Sequence, residues 1–224
     1  MGGDAPGADS RSSPRGFFVS LDGPDGGGKS TQAARLSAAL RAWGYDVVLC
    51  RDPGGTQLGE RLRSLLLDHD KDGLRIGLRA EMLLYMASRA QLVEELIGPA
   101  LAEGRLVVCD RFLMANVVYQ AHAGGLDPGE VWAVGQIATG GVLPDLTLVL
   151  DVPPEVAAAR RGPARDRMEA RTEAYHRAVR AGYLRELESR RVAAVRIDAA
   201  ADEETVAARI LDEVRRALER RAGT

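Results

Sequence analysis

The sequence predicts an α/β fold: a five-stranded parallel sheet flanked by helices. Three observations predict it. Five short runs, 17–21, 46–50, 106–109, 146–150 and 194–197, are apolar and rich in Val or Leu, as strands buried on both faces are. Helical stretches separate them, and an alternation of strand and helix builds a parallel sheet with helices on both faces. The first run leads into a glycine-rich turn and then a helix, 32–41, which is a strand–turn–helix unit.

Residues 1–15 are small and polar and read as a disordered tail ahead of one domain, 16–224. The tail lacks the apolar core of a secretory signal, and Pro6 breaks the N-terminal acylation pattern. After strand 17–21 come Gly23, Pro24, Asp25, Gly26, Gly27, Gly28, Lys29, Ser30 and Thr31, which fit G-x-x-x-x-G-K-[ST]. Glycines let backbone N–H groups close around an anion, and the following helix adds its unpaired N–H groups and dipole. In such a loop Lys29 reaches the β- and γ-phosphates and the Ser30 hydroxyl holds Mg²⁺. Lys29 is one of two lysines among 30 basic residues, so the chain uses Lys where a compact ammonium suits a phosphate cradle.

Polar clusters follow the other strands, where ligands of open α/β sheets bind. Asp52, Pro53, Gly54 and Gly55 after the second strand are either a ligand-facing turn or a tight connector to the helix carrying Leu62, Leu65 and Leu66. Asp110 and Arg111 close the third strand. Asp110 is placed to serve as a Mg²⁺-side carboxylate and Arg111 to fork onto phosphate; the other reading is a structural ion pair. In the long helical stretch 78–102, interrupted near Pro99, Tyr85 and Arg89 are four residues apart and share a face. They suit a nucleobase, or are a core tyrosine and a solvated arginine. Asn116, the chain's single asparagine, lies with Tyr119 and Gln120 on one side of a helix as pocket-lining donors and acceptors. Arginines crowd a Gly-Pro break at about 160–170, including Arg160 and Arg165. They form either a lid bringing charge over phosphates or a solvated loop. Further helices are expected after Arg167 and from about Asp202 to near the end of the chain.

Composition narrows the function. A net charge of −2 and few aromatic residues argue against a nucleic-acid partner. No run of 18 apolar residues argues for a membrane span. Cys50 and Cys109 each close a strand and are expected as reduced core thiols, with no Cys/His metal cluster and a cytoplasmic address. A GTP switch is disfavoured because Asn116 is followed by Val117, so no Asn-Lys-x-Asp motif exists.

Taken in order, the glycine loop, RDPGGT, Tyr85 with Arg89, DRFLMANVVYQ, PDLTLVLDVPPE and DRME resemble the bacterial type of the thymidylate kinase family. These are P-loop nucleoside monophosphate kinases. The resemblance runs from about Phe17 to the last helix. It implies a P-loop kinase fold with a short Arg-rich lid, usually in a homodimer, and transfer of the γ-phosphoryl of Mg-ATP to dTMP. It implies that Asp25 faces the acceptor's sugar and phosphate. Arg111 would contact the acceptor phosphate and bridge to the donor, Tyr85 stack on thymine, and Arg89 read a thymine carbonyl. Asn116 and Tyr119 would lie near base and deoxyribose, with Arg160 or Arg165 acting from the lid. The chain departs from the family in having Asp52 for the usual Glu, Tyr85 for Phe, Ala115 for Ser and a shorter lid.

Overall fold

A computed structural model describes residues 16–67, 75–161 and 171–222. Five strands, β1 (Phe17–Asp22), β2 (Val47–Arg51), β3 (Leu106–Asp110), β4 (Leu146–Asp151) and β5 (Ala194–Asp198), form one parallel sheet in the order β2-β3-β1-β4-β5. Each strand of the five ends one residue beyond its apolar run, on a charged residue: Asp22, Arg51, Asp110, Asp151 or Asp198. The backbone ladder carries on where burial of apolar side chains stops, which puts charge along the carboxyl edge of the sheet.

Alternation along β1 shows why the sheet needs cover on both faces. Phe17, Val19 and Leu21 enter one core with α1 (Lys29–Ala42) and α9 (Glu203–Ala222). Phe18 enters the other, with α3 (Leu78–Leu92) and α6 (Pro128–Thr139). Cys50 and Cys109 are register partners on β2 and β3, both buried and both free thiols, as expected.

Connections carry the remaining helices: α2 (Gln57–Leu67), α4 (Gly98–Ala102), α5 (Leu113–Asn116), α7 (Pro154–Arg161) and α8 (Glu173–Ser189). The long stretch expected at 78–102 is three pieces, because a π-helical segment, Val93–Ile97, separates α3 from α4. Pro99 has no N–H to donate into this continuous helical stretch, and the wider turn just before it accommodates the break. A second π-helical segment, Val117–His122, extends α5. The tail 1–15 and most of the expected lid, including Arg165, lie outside the described residues.

β1 is the central strand, with β3 on one side and β4 on the other. The chain leaves β1 for the far edge at β2, and later crosses from β3 over β1 to β4. Connections therefore diverge beyond the carboxyl end of β1, which opens a crevice there. The glycine turn occupies it.

Candidate active site

The turn between β1 and α1 is built by close packing. Gly23 has φ +134°, and a Cβ there would lie 2.5 Å from the Leu150 carbonyl oxygen. Only glycine lets the turn leave β1 so close to β4. At its other end Gly28 caps α1 in the left-handed region, φ +83°, with no side-chain hydrogen bond to the helix end. The first turn of α1 also carries no acidic side chain. Among the described residues no side chain caps its N–H groups, which with the positive dipole end suit an anion.

Lys29 opens α1 and is 7% exposed. Its Nζ donates to the Pro24 carbonyl oxygen at 2.7 Å, folding the side chain back into its own loop. Burial, with Arg111 nearby, pulls its pKa down to about 8, against the opposing pull of Asp25 and Asp110. Ser30 Oγ donates to Asp110 Oδ2 at the end of β3, so the two residues expected near a divalent cation touch.

Arg111 is the centre of the site. It leaves β3 at φ +70°, a region L-residues seldom enter, and its N–H bonds the Leu21 carbonyl. That turn sends the side chain back over the glycine loop. Nη1 donates to Gly23 O at 3.0 Å and to the Tyr183 hydroxyl at 3.1 Å. Nη2 pairs with Asp25 Oδ1 and donates to the Tyr119 hydroxyl at 3.2 Å. Tyr119 in turn donates to Asp25 Oδ2 at 2.9 Å. Burial pushes the Asp25 carboxyl up, but Arg111 and then Lys29 outweigh it and hold the pKa down at about 2. Asp25 is therefore an ionised clamp on Arg111, not a proton donor.

A second cluster lies on α3 and the segment after β3. Arg89 is 2% exposed. Its Nε donates to Asp52 Oδ2 at 2.6 Å and its Nη1 to Asn116 Oδ1 at 2.8 Å, while the guanidinium lies 5.5 Å from the Phe112 ring centroid. Asn116 Nδ2 donates to Gln120 Oε1 at 2.6 Å. Burial pushes the Asp52 carboxyl up against the pull of Arg89. Its second oxygen has no hydrogen-bond partner among the described residues, which is why the pair only partly offsets burial. The turn after Asp52 passes through a cis peptide at Pro53.

Both clusters line one cleft of about 450 Å³, within the range of small-molecule sites. Asp25, Gly26, Gly28, Lys29, Ser30, Thr31, Asp110 and Arg160 line one part, and Asp52, Pro53, Tyr85, Arg89, Asn116 and Gln120 another. Arg111 and Tyr119 belong to the same lining. Gly23, Pro24 and Gly27 shape the loop without lining the cleft. Tyr119 bonds the Arg111 cluster while Asn116 and Gln120 bond each other, so the expected side of one helix serves both clusters. Arg160 does not reach across as a free cation. Its Nη1 donates to Ala199 O and its Nη2 to Ala200 O and Ala201 O, at 2.7–3.1 Å, beyond β5.

Sequence reasoning missed Arg63 and Tyr183, and took Arg51 only as part of the RDPGGT turn and not as a site residue. Arg51 and Arg63 line the cleft, and Arg63 donates to Pro53 O at 2.9 Å. Arg63 is an ordinary surface residue by pattern, in a chain whose basic residues are nearly all arginine. Arg51 is the first residue of the RDPGGT turn, and Arg63 lies on the helix that follows it.

A family model described as thymidylate kinase matches residues 21–210. Curated relatives named thymidylate kinase are similar over most of their length. That of Caldanaerobacter subterraneus subsp. tengcongensis is 47% identical over 172 residues, 76% of this chain and 81% of its own. That of Exiguobacterium sp. is 43% identical over 200 residues, 88% of this chain and 93% of its own. That of a Synechococcus sp. is 45% identical over 196 residues, 87% and 92% of the two chains.

Proposed function

The chain belongs to the thymidylate kinase family, and from that premise we propose that it transfers the γ-phosphoryl group of ATP to dTMP, giving dTDP and ADP, in the cleft just described. One observation carries the reading: a phosphate loop with Lys29 shares a cleft with Arg111 and with a buried base-sized cluster at Arg89 and Asn116. The acceptor is itself a phosphate with a second pKa of about 6, so it arrives largely dianionic and needs no general base. Catalysis is then alignment and charge neutralisation.

In this reading the loop amides and Lys29 hold the donor phosphates. Arg111 bridges donor and acceptor, kept in place by Asp25, Tyr119 and Tyr183. Arg63 and Arg51 add positive charge on the acceptor side. Tyr85 packs against the base and Arg89 donates to its carbonyl. Arg160, held against three carbonyls, suits the donor nucleotide's side of the cleft. Residues 16–224 act as one catalytic unit.

The contact of Ser30 with Asp110 supplies two hard oxygen donors beside the loop. That fits Mg²⁺, which takes one or two protein oxygens and completes its shell with water and substrate phosphates. Bound there, it would neutralise charge on the transferring group.

Mixing the protein with Mg-ATP and, separately, dTMP, dUMP, UMP, CMP and thymidine, then identifying the phosphorylated product formed, tests the reading. dTDP should be the dominant product, and its absence would remove the assignment. Arg89→Lys keeps a charge for Asp52 but loses the fork that also reaches Asn116. KM for dTMP should rise about tenfold or more, as when a charge-assisted hydrogen bond is lost, with kcat within about threefold. An unchanged KM would remove Arg89 from base reading.

A homodimer is part of the same proposal. Leu58 and Leu65 on α2, Leu83 on α3 and Ile137 on α6 are exposed, Ile137 at 82%. α2 packs on α3 and α3 on α6, so these side chains stand on neighbouring helices. A second copy is the occupant that would cover them. Light scattering should give twice the 24.0 kDa chain mass, and Leu83→Glu with Ile137→Glu should halve it. A monomeric wild-type protein would refute this arrangement. Among the described residues no helix is long and apolar enough to cross a membrane. The reading takes the cytoplasm, with its free nucleotides and reduced thiols, as the place of action.

A further inference from the structure

Glu81 lies on α3, is 1% exposed and is not part of the cleft lining. It nevertheless ends a chain of hydrogen bonds that begins inside the cleft. Gln120 Nε2 donates to Glu81 Oε1 at 2.9 Å. Gln120 Oε1 accepts from Asn116 Nδ2, and Asn116 Oδ1 accepts from Arg89 Nη1. Gln120 and Asn116 are as buried as Glu81, at 1% and 2% exposed. Glu81, Tyr85 and Arg89 are spaced by four along one face of α3, so a single helix supplies both ends of the chain.

The two ends are chemically opposite. A carboxylate only accepts and a guanidinium only donates. Between them stand two amides, whose oxygen and nitrogen ends are nearly equal in shape. Packing cannot tell those ends apart, but hydrogen bonding can. Glu81 demands the N–H of Gln120, which turns the Gln120 oxygen to Asn116 and the Asn116 oxygen to Arg89. Every donor nitrogen in the chain then meets an acceptor.

We propose that Glu81 is a specificity-positioning residue: by setting the direction of the Gln120 and Asn116 amides, it makes the cleft offer the Arg89 donor beside the Asn116 Oδ1 acceptor to the base. This rests on the thymidylate kinase reading. A 4-oxo pyrimidine with N3–H presents an acceptor beside a donor and matches that pair. A 4-amino pyrimidine presents a donor beside an acceptor, so each of its groups meets its own kind. Arg89 bonds the Asn116 amide, and the direction of the Gln120 amide beyond it is set by Glu81. Glu81 holds the direction from the end that substrate does not touch.

The test compares kcat/KM for dTMP and for dCMP, with Mg-ATP, in wild type, Glu81→Gln and Glu81→Leu. Glu81→Gln still offers an oxygen to Gln120 and should keep the wild-type ratio within about threefold. Glu81→Leu fills the space but accepts nothing. Its dTMP-to-dCMP ratio should fall about tenfold or more, since discrimination by hydrogen bonding depends on polar groups left unpaired. Its kcat for dTMP should stay within about threefold, because the Lys29 and Arg111 cluster is untouched. A merely structural role would lower melting temperature and both activities together, without moving the ratio. Should Glu81→Leu fail to fold, Gln120→Met cuts the chain in its middle and should lower the ratio likewise. An unchanged ratio in the folded variant tested, or an equal loss in Glu81→Gln, overturns the proposal. A wild-type protein that does not phosphorylate dTMP overturns the functional reading instead.

Discussion

Replacing Arg111 by alanine should lower kcat about 10³-fold, the lower range for losing an arginine that stabilises a transferring phosphoryl group. Four groups from three parts of the chain are aimed at this one side chain: Gly23 O and Asp25 from the glycine loop, Tyr119 from the segment after α5, and Tyr183 from α8. A surface ion pair does not recruit such a set. The backbone reaches the position through a left-handed residue, φ +70°, which alanine meets with the same Cβ strain as arginine. The substitution therefore removes the guanidinium without altering the turn's own preference. Arg111→Lys keeps one charge, which can still pair with Asp25, but cannot fork between loop and tyrosines. It should fall between wild type and alanine, at a loss of about 10²-fold. Saturating steady-state rates, with circular dichroism to confirm folding, would measure both. A kcat for Arg111→Ala within tenfold of wild type would take Arg111 out of the chemistry.

Arg111 also shows how much of the fold and site could be read from residues alone. Its place after an apolar strand was legible, because the strand pattern ends in charge. The positive φ that aims the side chain at Asp25 was not, since nothing in Asp110-Arg111-Phe112 names that conformation. The strand order was likewise not carried by any one segment; it follows from which helices cover which face. Each strand ran one residue past its apolar limit, because the ladder depends on backbone groups that sequence patterns do not report. The π-helical segments were invisible for a similar reason. They depend on how a turn accommodates Pro99, or on how Tyr119 and Gln120 are each required by a different cluster.

The glycine loop was the most legible feature, since its chemistry is local and its residue types are constrained by backbone geometry. The acceptor side was less so. Tyr85 and Arg89 had a spacing that suggested a shared face, but Asp52 as the Arg89 partner lies 37 residues away and comes from another strand end. Arg63 could not be picked out of a helix that reads as amphipathic surface. Glu81 reads as an ordinary first-turn acid, favourable to the helix dipole. Only burial and the directions of two amides give it a further meaning.

Lys29→Met should lower kcat about 10³-fold and leave the protein at least as stable as wild type. The first half follows from the reaction. Lys29 is the cation that the loop itself supplies, and phosphoryl transfer in this class relies on such charge. The second half follows from the unliganded geometry. The Lys29 ammonium is almost wholly buried, with the Pro24 carbonyl as its hydrogen-bond partner and the Arg111 charge close by. Its pKa falls to about 8 because folding disfavours the charged form, and at neutral pH the folded protein carries that cost. Methionine fills a similar volume without charge. The melting temperature of ligand-free Lys29→Met should thus equal or exceed that of wild type, while ATP should raise it less than it raises wild type. A residue kept for structure would show the reverse, losing stability with activity. Thermal melts with and without Mg-ATP, beside the kinetic assay, separate the two. A lower melting temperature with near-normal kcat would mean that Lys29 supports the loop and does not serve the phosphates.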